Sequence, residues 1–183
     1  MRLAMVVDTN RCVGCKDCVV ACMQENRVPE GYCRDWVTEE TQGTYPDLSL
    51  EIRSERCNHC EVPPCVYNCP TGAMHVDYGG IVISERQMCT GCASCITACP
   101  YAVGFINPKS GCSDKCTFCL HRVKDGLLPA CVSVCPTNCL HFGDLDDRES
   151  SVSVLLRTRR HKVLLPEAGT GPKLFFLLGR PTA

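Results

Sequence analysis

Residues 12 to 22 contain the most informative stretch of the chain, Cys12-Val13-Gly14-Cys15-Lys16-Asp17-Cys18-Val19-Val20-Ala21-Cys22. Its four cysteines are separated by two, two and three residues. The first three thiolates are spaced to surround one 4Fe-4S cubane, and Gly14 relaxes the backbone where it passes close to the inorganic sulfides. Cys22 lies about one helical turn beyond Cys18, which directs its sulfur toward a second cluster. One such run therefore requires a partner run.

Three further groups of four cysteines follow. Group two is Cys57, Cys60, Cys65 and Cys69; group three is Cys89, Cys92, Cys95 and Cys99; group four is Cys116, Cys119, Cys131 and Cys135. The middle gap is four residues in group two, two in group three and eleven in group four. With group one they supply enough thiolates for four 4Fe-4S clusters, which are the predicted cofactors. We assign no chemistry to the remaining Cys33, Cys112 and Cys139.

Zinc and disulfides are the alternative explanations for this cysteine content. Paired Cys-x-x-Cys motifs also bind zinc, and a structural zinc site needs two such pairs. A tetrahedral zinc site does not require a third cysteine after two residues and a fourth after three more. With 19 cysteines in 183 residues, the content is typical of secreted disulfide scaffolds. Such scaffolds are short, however, and these cysteines come in quartets. The pattern favours iron–sulfur clusters.

The amino-acid composition limits which other classes of function are compatible with this sequence. Hydrophobic residues make up 45% of the chain, but this share includes the cysteines, and the chain has 5 Phe, 5 Tyr and 1 Trp. Because metal binding is coupled to folding in such proteins, we expect the apoprotein not to fold stably. The formal charge of -1 comes without a basic block, which argues against nucleic-acid binding. No stretch is long enough to span a membrane, and no signal peptide is recognisable, so we expect the chain neither to span a membrane nor to export itself.

Local patterns predict an α+β fold of short strands and helices. Apolar or alternating runs before the first three groups predict strands at 3–7, 48–52 and 81–83. Proline follows the last cysteine of groups two, three and four, and we expect it to end the short helix that carries that cysteine. Gly79-Gly80 predicts a hairpin turn between the second and third repeats. The repeated unit of strand, cysteine loop, short helix and returning strand occurs four times and therefore forms two pairs.

The order along the chain favours two nested modules. Groups two and three are close together and regular, and groups one and four flank them, so an inner module at 52–107 would be inserted into an outer module made of 1–32 and 108–145. Sequential pairing of group one with two and of group three with four is the second possibility. The nested order predicts four ligand sets: site I, Cys12, Cys15, Cys18 and Cys135; site II, Cys22, Cys116, Cys119 and Cys131; site III, Cys57, Cys60, Cys65 and Cys99; site IV, Cys69, Cys89, Cys92 and Cys95.

Two segments carry no cluster ligands. Residues 33–51 form an insertion with Trp36, which we interpret as a loop packed over the clusters, with partner docking as the alternative. Residues 146–183 form a C-terminal extension, in which Ser150 and Ser151 are candidate caps of a helix over 152–156. The basic run at 157–162 is interpreted as a solvated helix face, with an acidic partner or anionic lipid as the alternative.

Four side chains near ligand cysteines are candidates for supporting roles. His59 and His121 are not needed as ligands because the cysteine sets are complete, so we expect hydrogen bonds around the clusters instead. Lys16, Lys115 and His59 are candidates for tuning the reduction potentials.

The order and spacing of the four groups resemble the iron–sulfur (beta) subunits of the molybdopterin oxidoreductase family, which includes the dimethyl sulfoxide, polysulfide and thiosulfate reductases. The resemblance covers essentially the whole chain and is nearest to the polysulfide and thiosulfate reductase subunits. It rests on the stretches 12–15, 59–65, 115–119, 142–145 and 165–176. Members of the family pair group one with four and group two with three, in agreement with the nested order. With Cys92 present in group three, the resemblance implies four cubanes.

The resemblance implies an electron-transfer subunit with no catalytic site and no small-molecule substrate of its own. Its implied partners are a catalytic subunit with a molybdenum or tungsten pterin cofactor and an integral membrane subunit that reacts with quinone. Export would depend on a signal in the catalytic subunit, which favours a peripheral location on the periplasmic or exoplasmic side of the membrane over the cytoplasmic side. The alternative function is a soluble polyferredoxin subunit of a hydrogenase or formate dehydrogenase complex.

Overall fold

A four-stranded sheet anchors the two ends of the chain. The computed structural model describes residues 1–179, so residues 180–183 of the extension at 146–183 lie outside the described part. The strands of this sheet lie in the order β8, β1, β10, β9. Their bounds are β1, Leu3–Asp8; β8, Leu140–Asp144; β9, His161–Lys162; β10, Leu174–Leu177.

Strand β1 is the centre of this sheet. Its six residues are all buried, which explains why it reads as a nearly continuous apolar run and not as an alternating one. It pairs antiparallel with β8, with Met5 opposite Phe142, and parallel with β10, with Met5 opposite Leu174. The strand predicted at 3–7 is confirmed. The pairing of β1 with β8 brings residues from the 1–32 segment against residues from the 108–145 segment.

Three two-stranded hairpins complete the strands, and they agree with the predicted α+β class. The predicted strands at 48–52 and 81–83 and the turn at Gly79-Gly80 are confirmed, the turn as a 3-10 segment, Tyr78–Gly80. The strand bounds are β2, Asp35–Thr44; β3, Asp47–Arg56; β4, Met74–Val76; β5, Val82–Ser84; β6, Phe105–Ile106; β7, Ser113–Asp114.

The insertion at 33–51 is not a packing loop. Its residues form β2 and the first half of β3, two strands that pair from Asp35 opposite Arg56 to Thr44 opposite Asp47. The base of this hairpin is buried, whereas residues 39–50 are exposed on both faces. The hairpin therefore packs against the molecule with its base only.

Six helices lie within residues 1–179, and most are a single turn long. Only one of the helices that follow the cysteine loops carries the last cysteine of its group, namely Cys22 in α1. In groups two, three and four the helix ends two residues before that cysteine, so proline does not end the helix as predicted. The helix bounds are α1, Asp17–Asn26; α2, Pro64–Tyr67; α3, Ser94–Thr97; α4, Leu120–Lys124; α5, Ala130–Ser133; α6, Ser151–Thr158.

The C-terminal extension packs α6 against the sheet. Ser150 caps this helix by accepting a hydrogen bond from the Ser153 amide at 3.3 Å, as predicted. The basic run at 157–162 is not a helix face, because α6 ends at Thr158 and β9 begins at His161. Arg159 forms an ion pair with the buried Asp8 instead of remaining solvated. Among residues 1–179, no helix is both long and apolar enough to cross a membrane.

Val152 provides a test of this packing because its side chain is fully buried against Val6 and Leu177. Val152→Ala removes two buried methyl groups and should cost roughly 2 kcal/mol of stability. For a protein of this size that loss lowers the unfolding temperature by roughly 4–8 °C, measured by anaerobic thermal unfolding. Val154→Ala in the same helix is the matched control, since Val154 is exposed and alanine favours helix. Equal destabilisation by both substitutions would contradict the packing described.

Candidate metal centres

The four cysteine loops share one backbone feature. The second residue after the first cysteine of each group has a positive φ, with values of 69° at Gly14, 43° at His59, 71° at Gly91 and 49° at Phe118. Glycine adopts this conformation readily, whereas other residues do so at a cost. The loops at His59 and Phe118 adopt it without glycine, and the two rings stack on each other with centroids 3.8 Å apart. The shared conformation turns each loop around its cysteines.

Predicted site II is the most deeply buried set. Helix α1 contributes Cys22, the loop before α4 contributes Cys116 and Cys119, and α5 contributes Cys131. All four are buried and line one small cavity. The structure therefore brings together cysteines from groups one and four, which are far apart in the sequence.

Predicted sites III and IV lie side by side. One apolar cavity is lined by Cys57, Cys60, Cys65 and Cys99, and another by Cys69, Cys89, Cys92 and Cys95. Cys95 also lines the first of these cavities, so it lies between the two sets. The structure thus gathers cysteines of groups two and three around two adjacent cavities.

At predicted site I, the contacts connect two of the four cysteines. Cys12 and Cys135 both contact the thiol of Cys139, which lies 3.4 Å from the Cys135 sulfur. Cys18 is buried beside Ser54, whereas Cys15 is exposed at the outer edge of its loop. Cys139 was assigned no chemistry from the sequence, but the structure places it directly against two of the site I cysteines.

The two other unassigned cysteines differ in their surroundings. Cys33 is exposed, whereas Cys112 is buried with its thiol near the carbonyl groups of Ser110, Arg86 and Cys89, at 3.4, 3.6 and 3.8 Å. Cys112 therefore lies against a cysteine of predicted site IV.

Backbone amides point at several of these sulfurs. The amides of Met74 and Ser113 donate to Cys69 and Cys89 at 3.3 and 3.4 Å. The amides of Phe118 and Cys139 donate to Cys116 and Cys135 at 3.4 and 3.3 Å. Hydrogen bonds of this kind stabilise a thiolate over a thiol.

The pKa shifts of the buried cysteines are more consistent with ligands of a metal cluster than with free thiols. Burial raises the pKa of Cys131 to about 11, opposed by the charge of Arg56, and burial raises the pKa of Cys65 to about 12, opposed by Lys115. Burial also raises the pKa values of Cys22 and Cys116. Thiolates in such surroundings need a compensating cation, which the iron of a bound cluster supplies. The donor sets, the cavities and the amide donors therefore fit 4Fe-4S clusters.

The histidine and lysine candidates have different surroundings. His59 is fully buried, and its Nδ1 accepts a hydrogen bond from the Val82 amide at 3.0 Å. Burial lowers the pKa of His59 well below its ordinary value, and its ring is therefore neutral. Lys115 is buried between sites II and III, where its ammonium donates to the carbonyl oxygen of Cys116 at 3.2 Å. His121 and Lys16 lie at the surface, and His121 bonds to Glu25 at 2.7 Å instead of to a cysteine.

Arg56 was not identified from the sequence. It directly precedes Cys57 of site III, yet its guanidinium Nη1 donates to the sulfur of Cys131 in site II at 2.8 Å. Its side chain is 1% exposed. Burial lowers the pKa of Arg56, but the nearby Cys131, Asp35 and other cysteines raise it well above its ordinary value, so the guanidinium is charged. No signal in the local sequence separates this arginine from a surface arginine.

Two 4Fe-4S dicluster domain models match this protein, one over residues 48–145 and the other over residues 11–73. A tetrathionate reductase subunit of Salmonella typhimurium is 42% identical over 181 residues, covering 96% of the present sequence and 72% of the relative. Protein NrfC of Escherichia coli is 46% identical, covering 96% and 80%. A polysulfide reductase subunit of Wolinella succinogenes is 39% identical, covering 96% and 94%. These relatives confirm the resemblance drawn from the sequence.

The ion pair between Arg34 and Asp114 tests how much the buried polar groups next to these cysteines contribute to stability. Their charged atoms are 2.7 Å apart, and both side chains are 8% exposed. Arg34 also donates to Asn26, which in turn donates to the backbone carbonyl of Cys22. Asp114→Asn leaves the arginine charge buried without its carboxylate and should cost roughly 3–5 kcal/mol, a fall of about 10 °C in anaerobic thermal unfolding.

Lys124→Ala is the matched control for that substitution. Lys124 pairs with Asp77 at 3.2 Å, but these side chains are 48% and 28% exposed. Surface pairs of this kind contribute less than about 1 kcal/mol. A similar effect of Asp114→Asn and Lys124→Ala would contradict the importance of the buried pair.

Proposed function

Since this protein belongs to the iron–sulfur subunits of the molybdopterin oxidoreductase family, we propose that it conducts electrons between a molybdopterin catalytic subunit and a quinone-reactive membrane subunit. Membership in this family makes it an electron-transfer subunit and not the subunit on which substrate reacts. We propose further that it holds four 4Fe-4S clusters, with sites I to IV as their ligand sets. Each 4Fe-4S cluster accepts and passes one electron at a time.

The contacts between the sites support a continuous relay in the order I, II, III, IV. The charge of Arg56 acts on sulfurs of sites I and II, those of Cys18 and Cys131. Cys57 and Cys116 interact electrostatically between sites III and II, where the rings of His59 and Phe118 also stack. Cys95 lies between sites III and IV. Each site therefore has a direct neighbour, which electron transfer through the protein requires.

The main support for a relay is the difference in solvent exposure between the cysteines of the four sites. Cys15 of site I and Cys92 of site IV are exposed, whereas all four cysteines of site II are buried. Cys57 and Cys60 of site III are buried as well. A relay needs accessible ends, where partners deliver and remove electrons, and an interior shielded from water and oxygen. This arrangement has both features, and it fits one partner at each end.

The names of the relatives indicate the class of complex. The relatives include subunits named for tetrathionate, polysulfide and arsenate respiratory reductases. We infer that this protein serves a respiratory reductase of the polysulfide or thiosulfate type. Its location would be a peripheral one on the membrane, on the periplasmic or exoplasmic side if the catalytic subunit carries an export signal. The nested order of 1–32 and 108–145 around 52–107 is part of the same proposal.

Cys22→Ser tests the ligand sets directly. Because Cys22 is assigned to site II with Cys119, the Cys22→Ser and Cys119→Ser substitutions should remove the same component of the electron paramagnetic resonance spectrum of the reduced protein. Cys12→Ser should remove a different component. Cys33→Ser is the matched control and should retain the full iron content, since Cys33 is exposed and outside the four sets. Selective loss of the Cys12 component in Cys22→Ser would overturn the nested pairing, and loss of the Cys57 component would favour the sequential one.

Purification of the native complex tests the partners. The proposal predicts that the tagged protein isolated from mild-detergent extracts is accompanied by a subunit containing molybdopterin and by an integral membrane subunit. Isolation with a hydrogenase and without a membrane subunit would support the alternative of a soluble polyferredoxin.

A further inference from the structure

We propose that Arg56 is a positioning residue that sets the reduction potentials of sites I and II together. This inference rests on the proposed function, because it requires clusters at both sites. Arg56 belongs to neither ligand set. It lies one residue before a cysteine of site III, while its side chain extends from the base of the β2–β3 hairpin to the other two sites.

The contacts of Arg56 form a bridge between two ligand sets. On the site II side, Nη1 donates to the Cys131 sulfur at 2.8 Å. On the site I side, Nη2 donates to the Ser54 hydroxyl, which lies 3.3 Å from the Cys18 sulfur. A single guanidinium thus reaches a sulfur of site II directly and a sulfur of site I through one hydroxyl.

Burial makes the charge of this bridge effective. Arg56 is among the largest fully buried side chains, so little water screens its charge. Besides Cys131 and Cys18, its charge also acts on Cys116 and Cys22 of site II and on Cys12 of site I. The carboxyl group of Asp35 lies 3.7 Å from Nη1, farther away than the Cys131 sulfur. The cation therefore acts on ligand sulfurs of both sites, while the Asp35 carboxyl group offsets part of its charge.

The consequence for electron affinity follows from charge alone. Reduction adds one negative charge to a cluster, and a nearby buried cation stabilises the more negative state. Arg56 should therefore raise the potentials of sites I and II, with the larger effect at site II, where its contact is direct. Hydrogen bonds to ligand sulfurs act in the same direction.

The experiment is an anaerobic redox titration of the holoprotein, followed by electron paramagnetic resonance. Midpoints are assigned to sites from the cysteine variants described above. In Arg56→Gln, two of the four midpoints should become more negative, with the larger shift at site II, a smaller one at site I and no shift of the other two midpoints. In Arg56→Lys, which keeps the charge but not the bidentate guanidinium, the midpoints should fall between those of Arg56→Gln and the wild type.

Arg53→Gln is the matched control. Arg53 lies on the same strand, its side chain is 10% exposed, and it pairs with Glu40, Glu51 and Glu55, with no cysteine among the partners found within residues 1–179. Its loss should perturb the hairpin without shifting any midpoint. Equal shifts in Arg53→Gln and Arg56→Gln would show a structural effect and overturn the proposal.

If Arg56→Gln does not accumulate in a folded form, the Ser54→Ala variant tests the role of Arg56 instead. Removing this hydroxyl breaks the bridge to Cys18 and leaves Arg56 on Cys131, so the site I midpoint alone should become more negative. Unchanged midpoints in both Ser54→Ala and Arg56→Lys would then overturn the proposal. Unchanged midpoints in a fully loaded Arg56→Gln variant would do the same while leaving the proposed function intact. A wild-type protein without four reducible clusters would instead refute the proposed function.

Discussion

The rest of this structure depends on one constraint: the cysteine sulfurs of short loops must point into the interior of the protein. Aromatic side chains make up only 6% of the chain, and most of the helices within residues 1–179 are a single turn long. Burial makes the thiolate form of Cys22, Cys116 and Cys131 unfavourable unless a cation accompanies it. Bound iron would remove that penalty and link segments that are distant in sequence, so we expect cofactor binding and folding to be coupled.

The remaining structure supports those loops from outside. The sheet around β1 joins the N-terminal segment to β8 and β10, which fixes where the first and last cysteine groups meet. The β2–β3 hairpin has a different role, because only its base is buried. That base carries Arg34, Asp35 and Arg56, whose charges lie among the buried sulfurs and their polar neighbours. The base of the hairpin, which continues past the insertion to Arg56, thus supplies charges around two of the proposed cluster sites, although it contributes no ligand.

The sequence predicted the cysteine groups, the α+β class, the family and the strand at 3–7, because each has a local signature of spacing or periodicity. The insertion at 33–51 was predicted as a loop apart from the strand at 48–52, and β2 was missed because residues 39–44 are polar and exposed on both faces. The basic run at 157–162 was wrongly predicted as a solvated helix face, because the run itself shows neither that α6 ends at Thr158 nor that the partner of Arg159 is the distant Asp8. The position of Arg56 depends on the tertiary path of β3, and local sequence contains no record of that path. Local sequence also does not predict the position of Cys139, which contacts Cys12 although the two residues are far apart in the chain.

The central claim is that the four cysteine groups hold iron in a redox relay. Iron and acid-labile sulfide analysis of anaerobically isolated protein, combined with visible absorption, tests it most directly. Four cubanes predict about sixteen irons and as many sulfides per molecule, with a broad visible absorption that dithionite bleaches and air restores. Far fewer irons, bound zinc in their place, or an absorption that does not respond to dithionite would contradict the account.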